Sequence, residues 1–104
     1  MIQQAKFNMG QIVEHNKFHY RGVIFEIDPV FSESEEWYEQ VAKSRPPKDQ
    51  PWYHVLVDNG NHTTYVAERH LTAATDKSAI NHPAIDHYFS AFTDGMYISK
   101  QASM

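Results

Sequence analysis

The stretch QPWYHVLVDNGNHTTYVAE, residues 50–68, decides the fold class. After Pro51 comes a run of aromatic and β-branched residues, which is typical of a β-strand. The Asn59–Gly60 pair then predicts a tight hairpin turn, because these residues tolerate the positive φ angles that such turns need. A second strand pattern begins at His62. The sequence therefore predicts an antiparallel hairpin in a mainly β domain.

Alternation along the first of these strands predicts the role of His54. Tyr53 and Val55 fall on one face, while His54 and Leu56 fall on the other, because successive side chains of a strand point in opposite directions. Both faces carry apolar residues, which indicates a central strand covered on each side. We therefore expect His54 to be a packed, hydrogen-bonded residue rather than a catalytic base or a metal ligand.

Three further segments show strand patterns, and they enclose a helical insertion. In the segment 19–28, Val23, Phe25 and Ile27 alternate with polar-trending positions, and Gly22 suggests a bulge or a sharp bend. Short, bent antiparallel strands of this number favour a small barrel over an open sheet. The predicted strands are 11–15, 19–28, 52–58, 62–68 and a short one from Leu71.

Two segments have helical patterns. Ser34 can cap a short helix over residues 34–43, with acidic residues in its first turn. Near the end of the chain, apolar residues recur at helical spacing from Ile85 to Phe92, which predicts an amphipathic helix over residues 82–93 ended by Gly95. The predicted organisation is one domain over residues 1–104, with a barrel core at 6–72 and a helical tail at 73–104.

Composition narrows the function classes. The chain has no cysteine, which excludes disulfides and thiolate chemistry, and its net charge is −4. Without a signal peptide or an apolar run long enough to span a membrane, we expect a cytoplasmic protein without membrane contact. Between Glu26 and Glu39 there are six acidic residues and no basic one, which opposes strong binding to duplex DNA. A modest basic face forms only if Lys6, Lys17, Arg21 and Arg69 converge.

Catalytic and metal patterns are weak. His15 and His19 are four residues apart, but the strand–turn–strand pattern around them removes the helical meaning of that spacing. Glu26 and Asp28 share a strand face and could be paired carboxylates, although a solvated face is the more ordinary reading. The remaining strand histidines, His54, His62 and His70, are best read as structural, so an enzyme or a metal protein that uses histidines is the least favoured alternative.

Four segments in order resemble one known family. KFNMGQIVEH (6–15), FHYRGVIFEIDP (18–29), DQPWYHVLVD (49–58) and TYVAERHL (64–71) are similar to the HspQ/YccV-like family, also called the hemimethylated DNA-binding family. The resemblance implies a small SH3-like five-stranded antiparallel β-barrel, no catalytic residues and no cofactor, and we expect no metal site.

The resemblance also implies two roles. The first hypothesis is a non-enzymatic, stress-related heat-shock protein that binds the Lon protease, an ATP-dependent protease, promotes degradation of selected substrates and could also bind hemimethylated DNA. The other is a dedicated regulator of replication initiation that binds hemimethylated DNA, in which case Lys17, Arg21 and Arg69 are the candidate phosphate contacts. We further expect a homo-oligomer, because the predicted C-terminal amphipathic helix needs a surface to pack on.

Overall fold

The computed structural model describes residues 4–100, whose strands form one five-stranded antiparallel sheet and a C-terminal hairpin. The sheet order is β4-β3-β2-β1-β5, so the predicted five antiparallel strands are confirmed. Predicted and observed bounds agree to within two residues. The five strands are β1 (Ile12–His15), β2 (Arg21–Asp28), β3 (Trp52–Val57), β4 (Thr63–Ala67) and β5 (Leu71–Ala73).

Closure of the sheet into a barrel is not confirmed. A single 3-10 turn, Glu68–His70, carries the chain from β4 at one edge of the sheet to β5 at the other. Such a short connection spans at most about 3.5 Å per residue, so the two edges must lie near each other and the sheet must curl. Within residues 4–100, however, no ladder joins β4 to β5. The SH3-like barrel therefore stays a prediction.

Apolar side chains cover both faces of the sheet, as the pattern of β3 predicts. Neighbouring residues on each strand supply opposite faces, because the strand repeat is two residues. One face carries Ile12, Val23 and Leu56, together with Ala74, Ile80, Phe89 and Tyr97 from later in the chain. The other face carries Val13, Ile24, Tyr53, Val55, Val66 and Leu71.

A bulge in β2 changes the predicted alternation. The β2–β3 register shifts between Ile24 and Glu26, so one extra residue is accommodated there. As a result Ile27 packs with the Ile24 face rather than with Phe25, and its predicted face is wrong. Gly22 is not the bulge. It pairs regularly with β1 and β3. A glycine is needed at this position because a Cβ there would lie 2.4 Å from Cγ1 of Val55.

The helical insertion is confirmed as α1 (Glu35–Val41). Ser34 caps it, because the Ser34 hydroxyl accepts the backbone N–H of Trp37 at 3.1 Å. The helix docks through Tyr38, which is buried and donates its hydroxyl hydrogen to the carbonyl of Pro46 at 2.7 Å. The proline-rich connector that follows α1, residues 44–51, therefore folds back against this helix.

The predicted C-terminal helix over 82–93, and with it the helical tail, is wrong beyond Tyr88. Only α2 (Ile85–Tyr88) is helical, and β6 (Phe89–Thr93) and β7 (Met96–Ser99) then form a hairpin. Gly95 does not end a helix. Asp94 and Gly95 have φ angles of 54° and 76°, as a tight hairpin turn requires. The hairpin buries Phe89 and Tyr97 in the core of the main sheet.

The C-terminal hairpin is joined to the start of β1. The backbone N–H of Tyr97 donates to the carbonyl of Gly10 at 2.9 Å, and Gln11 forms an isolated bridge with Met96. Among residues 4–100, no helix has the length and apolar character needed to cross a membrane.

Candidate functional site

An open groove of about 560 Å³ runs beside β3 and β4, and we call it the β3–β4 groove. Three parts of the chain line it. The β1–β2 turn supplies Lys17 and Phe18, the α1 segment supplies Trp37 and Val41, and the two strands supply the intervening surface. Phe18 and Val41 are 67% and 55% exposed, which is unusual for large apolar side chains.

Tyr65 organises one side of the groove. Its ring centroid lies 4.5 Å from that of His54 and 5.5 Å from that of Trp37. Its hydroxyl donates to Oδ2 of Asp28 at 2.7 Å and accepts the backbone N–H of Ser32 at 3.0 Å. Burial and the hydrogen bond to the Asp28 carboxylate raise the pKa of Tyr65 far above its usual range. The ring is therefore neutral and fixed in position.

His54 belongs to the same cluster, and its predicted packed role is confirmed. The side chain is half-buried, and its Nε2 lies 3.0 Å from Oδ2 of Asp28, which accepts the hydrogen. His54 also contacts the ring of Phe25 at 5.8 Å between centroids. With Trp37, Trp52 and Tyr65 it forms what we call the Tyr65 cluster.

His15 organises the other side, in what we call the His15 cluster. Its ring contacts those of Phe18, Tyr20 and His70 at centroid distances of 4.7, 5.2 and 5.7 Å. The Nδ1 atom accepts the backbone N–H groups of Lys17 and Phe18, each at 3.1 Å. This atom carries no proton, and the two hydrogen bonds hold the β1–β2 turn in place.

Both stacked histidines resist protonation. Burial lowers the pKa of His15, and His70, Lys17 and His19 lower it further. Burial also lowers the pKa of His70, with added repulsion from Arg69 and Lys17. Both imidazoles are therefore neutral near pH 7, and the positive charge of the groove comes from lysine and arginine.

The two aromatic clusters lie on the two faces of the sheet. Among residues 4–100, no ring contact joins a member of the Tyr65 cluster to a member of the His15 cluster. Tyr20 of the His15 cluster contacts β4 through a hydrogen bond, with its hydroxyl 2.7 Å from that of Thr64. Tyr65 pairs with His54 on one face, whereas Thr64 pairs with Val55 on the face that carries His15 and Tyr20, so the groove runs past the edge strand β4 with one cluster on each face.

Cations gather at the β3–β4 groove, but not the full predicted set. Lys17 and Lys43 line it, and Arg69 donates to the carbonyl of Ser44, another lining residue, at 2.7 Å. Lys17 and Arg69 are both close enough to His70 to lower its pKa, so the structure brings these two predicted contacts together. Lys6 is not among the lining residues.

Arg21 lies outside the groove, and its guanidinium is bound by other residues of the protein. Its Nη2 is 2.9 Å from Oδ2 of Asp58, with both side chains less than one-fifth exposed. Its Nη1 donates to the carbonyls of Asp76 and Ser78, each at 2.9 Å. These bonds fasten the segment after β5 to the end of β3, which is a structural role for its guanidinium.

Glu26, Asp28 and His54 are a group that could hold a metal, since their ligand atoms all lie within 4.8 Å of one another. Oδ2 of Asp28 already accepts hydrogen bonds from Tyr65 and His54, so this atom is satisfied by protein donors. A catalytic pair of Glu26 and Asp28, which the sequence offered only as the less favoured alternative to a solvated strand face, gains no support from this arrangement. His15 and His19 diverge, because His15 is buried while His19 is exposed beside Glu14.

Several residues of the groove escaped the sequence analysis. Phe18 lies in the β1–β2 turn and Val41 at the end of α1, where exposed apolar residues carry no periodic signal. Lys43 follows the same helix. The proximity of Tyr20 to Thr64 spans 44 positions of sequence. Positive charge just before and within the proline-rich connector, at Lys43, Arg45 and Lys48, was the one local hint that cations cluster near α1.

Comparison with protein-family models gives one match over most of the chain. Residues 5–96 match the model described as YccV-like, hemimethylated DNA-binding protein YccV like. The matched range includes every strand of the main sheet, helix α1 and all residues named above as lining the groove.

Proposed function

The chain belongs to the YccV-like family, whose description is hemimethylated DNA-binding protein, and on that premise we propose that it is a non-enzymatic protein that binds hemimethylated duplex DNA. The proposed contact surface is the β3–β4 groove. No catalytic residue and no cofactor are part of this proposal. The SH3-like barrel implied by the resemblance fits the curled sheet and remains part of the proposal as well.

One observation carries the proposal: three cations lie at an aromatic groove in a chain of net negative charge. Lys17, Lys43 and Arg69 are exposed there, without a carboxylate partner among residues 4–100. Most DNA affinity comes from cations that neutralise phosphates and release counterions. Aromatic side chains beside them offer stacking surface for bases.

The acidic run that opposes DNA binding is partly neutralised within the fold. Glu35 pairs with Lys48 at 2.6 Å, and Glu39 pairs with Arg45 at 3.1 Å. Asp28 accepts hydrogen bonds from His54 and Tyr65. Glu33 is the one acidic residue among those lining the groove, so the repulsion at the proposed contact is smaller than the sequence suggests.

The test is a salt titration of binding to three duplexes of one sequence: hemimethylated, fully methylated and unmethylated. One series carries the methyl group on adenine and another on cytosine. We expect the hemimethylated form to bind best, with log K falling linearly as log salt concentration rises and a slope of roughly 0.9 per phosphate contacted. Equal, weak binding to all three duplexes in both series would refute the proposal.

A second candidate is docking on a protein, namely a Lon-type ATP-dependent protease, as in a stress-related proteolysis adaptor. The exposed side chains of Phe18 and Val41 favour it, because large apolar residues at a groove are typical anchors for a protein partner. The net charge of −4 is also compatible with a protein partner. A degradation assay of a model substrate, run with and without this protein, tests the adaptor role; an unchanged rate would remove it.

We also propose a homo-oligomer, now on a different surface from the one that the sequence suggested. Phe92 and Ile98, both 39% exposed, lie on the C-terminal hairpin that replaces the predicted helix. Apolar residues on a two-stranded hairpin edge are suited to contact a second copy. Light scattering over a range of concentrations tests this, and a monomer at every concentration contradicts it.

A further inference from the structure

We propose that β4 accepts an extended segment of a partner protein as an added strand, with apolar residues at the centre of the segment and acidic residues at its ends. The segment lies in the β3–β4 groove, where α1 and the β1–β2 turn supply the other lining residues. The inference goes beyond DNA binding, because it gives the groove a second ligand that excludes the duplex while it is bound.

β4 is an edge strand whose outer side is open. It is the last strand in the sheet order, and among residues 4–100 it pairs with β3 alone. The opposite edge strand, β5, has three residues, and edge strands this short resist further pairing. β4 has five residues and contains neither a charged side chain nor proline, which are common protections of an edge. The sheet therefore has one edge suited to another strand.

The ladder with β3 fixes which backbone groups of β4 point outward. At its two ends, the N–H of Val57 donates to the carbonyl of His62, and the N–H of Glu68 donates to the carbonyl of Pro51. In an antiparallel pair, the hydrogen-bonded positions recur at every second residue. Even-numbered residues of β4 therefore bond to β3, and odd-numbered residues direct their N–H and C=O groups away from it.

Thr63 and Tyr65 are the accessible members of this outward set. Both line the groove, whereas Ala67, the third member, is only 2% exposed. Within residues 4–100, no hydrogen bond is made to the outward backbone groups of Thr63 and Tyr65. Alternating donors and acceptors match the backbone of another strand. A DNA phosphate backbone offers acceptors alone, so it leaves the two carbonyls without a partner.

A strand beside β4 finds an aromatic ring on each face of the sheet. Successive residues of such a strand point to opposite faces. Trp37 contacts Tyr65 on one face, and Phe18 belongs to the His15 cluster on the other. Both rings line the groove, together with Val41 at the end of α1. Consecutive apolar residues at the centre of the segment are therefore all in contact with apolar surface.

The cations determine the charge of the segment. Lys17, Lys43 and Arg69 lie at the groove without a carboxylate partner among residues 4–100. They belong to three separate parts of the chain, so they surround the edge of β4 rather than forming one patch. Acidic residues at the ends of the segment match them. The same cations serve the phosphates of a duplex, so the two ligands compete.

The test begins with labelled nine-residue peptides and fluorescence anisotropy. Each peptide has two aspartates at either end, and its five central positions vary among valine, leucine, phenylalanine, tyrosine and threonine. We expect a subset to bind, and the same central sequences flanked by serine to bind about tenfold more weakly because the charge pairs are lost. If no member of the set binds, the inference is overturned.

Backbone methylation of the tightest peptide distinguishes an added strand from a peptide held by its side chains alone. One derivative is N-methylated at the odd central positions, and the other at the even ones. Only one of these two sets of amides faces β4 in an added strand, so we expect one derivative to lose about tenfold in affinity and the other to keep it. Equal affinities of the two derivatives would overturn the inference.

Hydrogen exchange followed by NMR locates the added strand. In the free protein, the amides of Thr63 and Tyr65 should exchange quickly, whereas those of Thr64 and Val66 are bonded to β3 and should be protected. The peptide should protect Thr63 and Tyr65. If they stay unprotected with peptide, the inference is overturned. Protection caused by a higher protein concentration alone would assign the edge to a second copy and overturn it as well.

Phe18→Ala and Phe92→Ala form a matched pair for the side-chain contacts. Both rings are exposed, and of the two only Phe18 lines the groove. We expect Phe18→Ala to weaken peptide binding about tenfold and Phe92→Ala to leave it unchanged, with circular dichroism verifying that both variants keep the fold. Equal peptide affinities of these two variants would count against the groove as the docking site.

Competition with DNA separates this inference from the proposed function. The tightest peptide should displace a labelled hemimethylated duplex, and a complex containing both ligands would overturn the shared groove. If the duplex binds and no peptide does, only this inference fails. If the peptide binds and protects the edge amides while no duplex binds, only the proposed function fails.

Discussion

The hydroxyl of Tyr53 donates a 2.5 Å hydrogen bond to Oε2 of Glu68, a carboxylate that is only 6% exposed. The same oxygen accepts the backbone N–H of Lys6 at 2.9 Å. Glu68 begins the 3-10 turn between β4 and β5, and the next two residues, Arg69 and His70, belong to the groove region. A buried bond in the core thus positions the turn that carries part of the proposed DNA contact.

Tyr53→Phe tests this bond. The variant leaves a buried carboxylate with one fewer donor, and we expect the free energy of unfolding to fall by about 2 kcal/mol. Urea denaturation provides the measurement. Tyr88→Phe is the matched control, because the hydroxyl of Tyr88 has no hydrogen bond within residues 4–100, and its stability should stay at the wild-type value. Equal stability of the two variants would contradict the role given to Glu68.

Arg21→Gln separates a structural arginine from a DNA contact. The change removes a largely buried ion pair with Asp58 and two hydrogen bonds to carbonyls, so we expect a loss of about 3 kcal/mol in the free energy of unfolding. The folded fraction should bind DNA as the wild type does. Arg45→Gln, which removes an exposed pair with Glu39, is the control and should leave stability unchanged. Loss of DNA affinity in folded Arg21→Gln protein would show that Arg21 contacts the DNA.

Acid should destabilise the protein through the stacked histidines. The pKa values of His15 and His70 are lowered by folding, so the unfolded state binds protons more readily. This stability is fully present above about pH 6.5 and is lost as pH falls through the folded-state pKa values. We expect the urea midpoint to drop between about pH 7 and about pH 5, and His70→Gln to drop less. His87→Gln, at an exposed position, is the control and should behave as the wild type does. If the urea midpoint of His70→Gln falls as far as that of the wild type, other groups cause the loss of stability.

Lys17→Gln, Lys43→Gln and Arg69→Gln should each weaken binding to all duplexes alike. If each cation contacts one phosphate, the slope of log K against log salt concentration should shrink by about 1 for each substitution. Lys100→Gln changes an exposed cation near the chain's end and is the control. An unchanged slope in all three groove variants would exclude the groove as the phosphate-binding surface.

Gly10→Ala should be strongly destabilising. Gly10 has a φ of +87°, and a Cβ there would lie 2.0 Å from the carbonyl oxygen of Tyr97. The backbone strain and the forced separation from the C-terminal hairpin should together cost at least about 2 kcal/mol in thermal or urea unfolding. Gly60→Ala is the control, since its nearest neighbour is the side chain of His62 at 3.0 Å, which can rotate away. Similar stability of both variants would mean that the hairpin is not held at Gly10.

Local patterns were sufficient for most of the sheet and failed at the C-terminus. The Asn59–Gly60 turn and the alternation around it predicted β3 and β4 to within two residues, because the hairpin is a local structure. From Ile85 to Phe92, the apolar residues fit the helical repeat, and the helix was preferred. Gly95, interpreted from the sequence as the end of that helix, lies with Asp94 in the turn of the hairpin. Burial of Phe89 and Tyr97 against the main sheet decides between the two structures, and that contact is not local.

In the groove, too, some features were predictable from the sequence and others depend on contacts between distant segments. Lys17 and Arg69 were identified as cations that could act together, and they do lie near the same histidine. Arg21 is indistinguishable from them in sequence, because its ion pair with Asp58 spans 37 positions. Only the tertiary structure shows that Arg21 is held in an ion pair, whereas Lys17 and Arg69 remain at the groove.

The sequence by itself determined the strand pattern, the capped helix, the family resemblance and the absence of cysteine chemistry, since each depends on residue types at short spacing. The tertiary structure alone decided the bulge in β2, the C-terminal hairpin, the aromatic lining of the β3–β4 groove and which charges are paired. Those features arise where segments far apart in the chain meet. Their energies come from burial and hydrogen bonds between such segments, which no local pattern encodes.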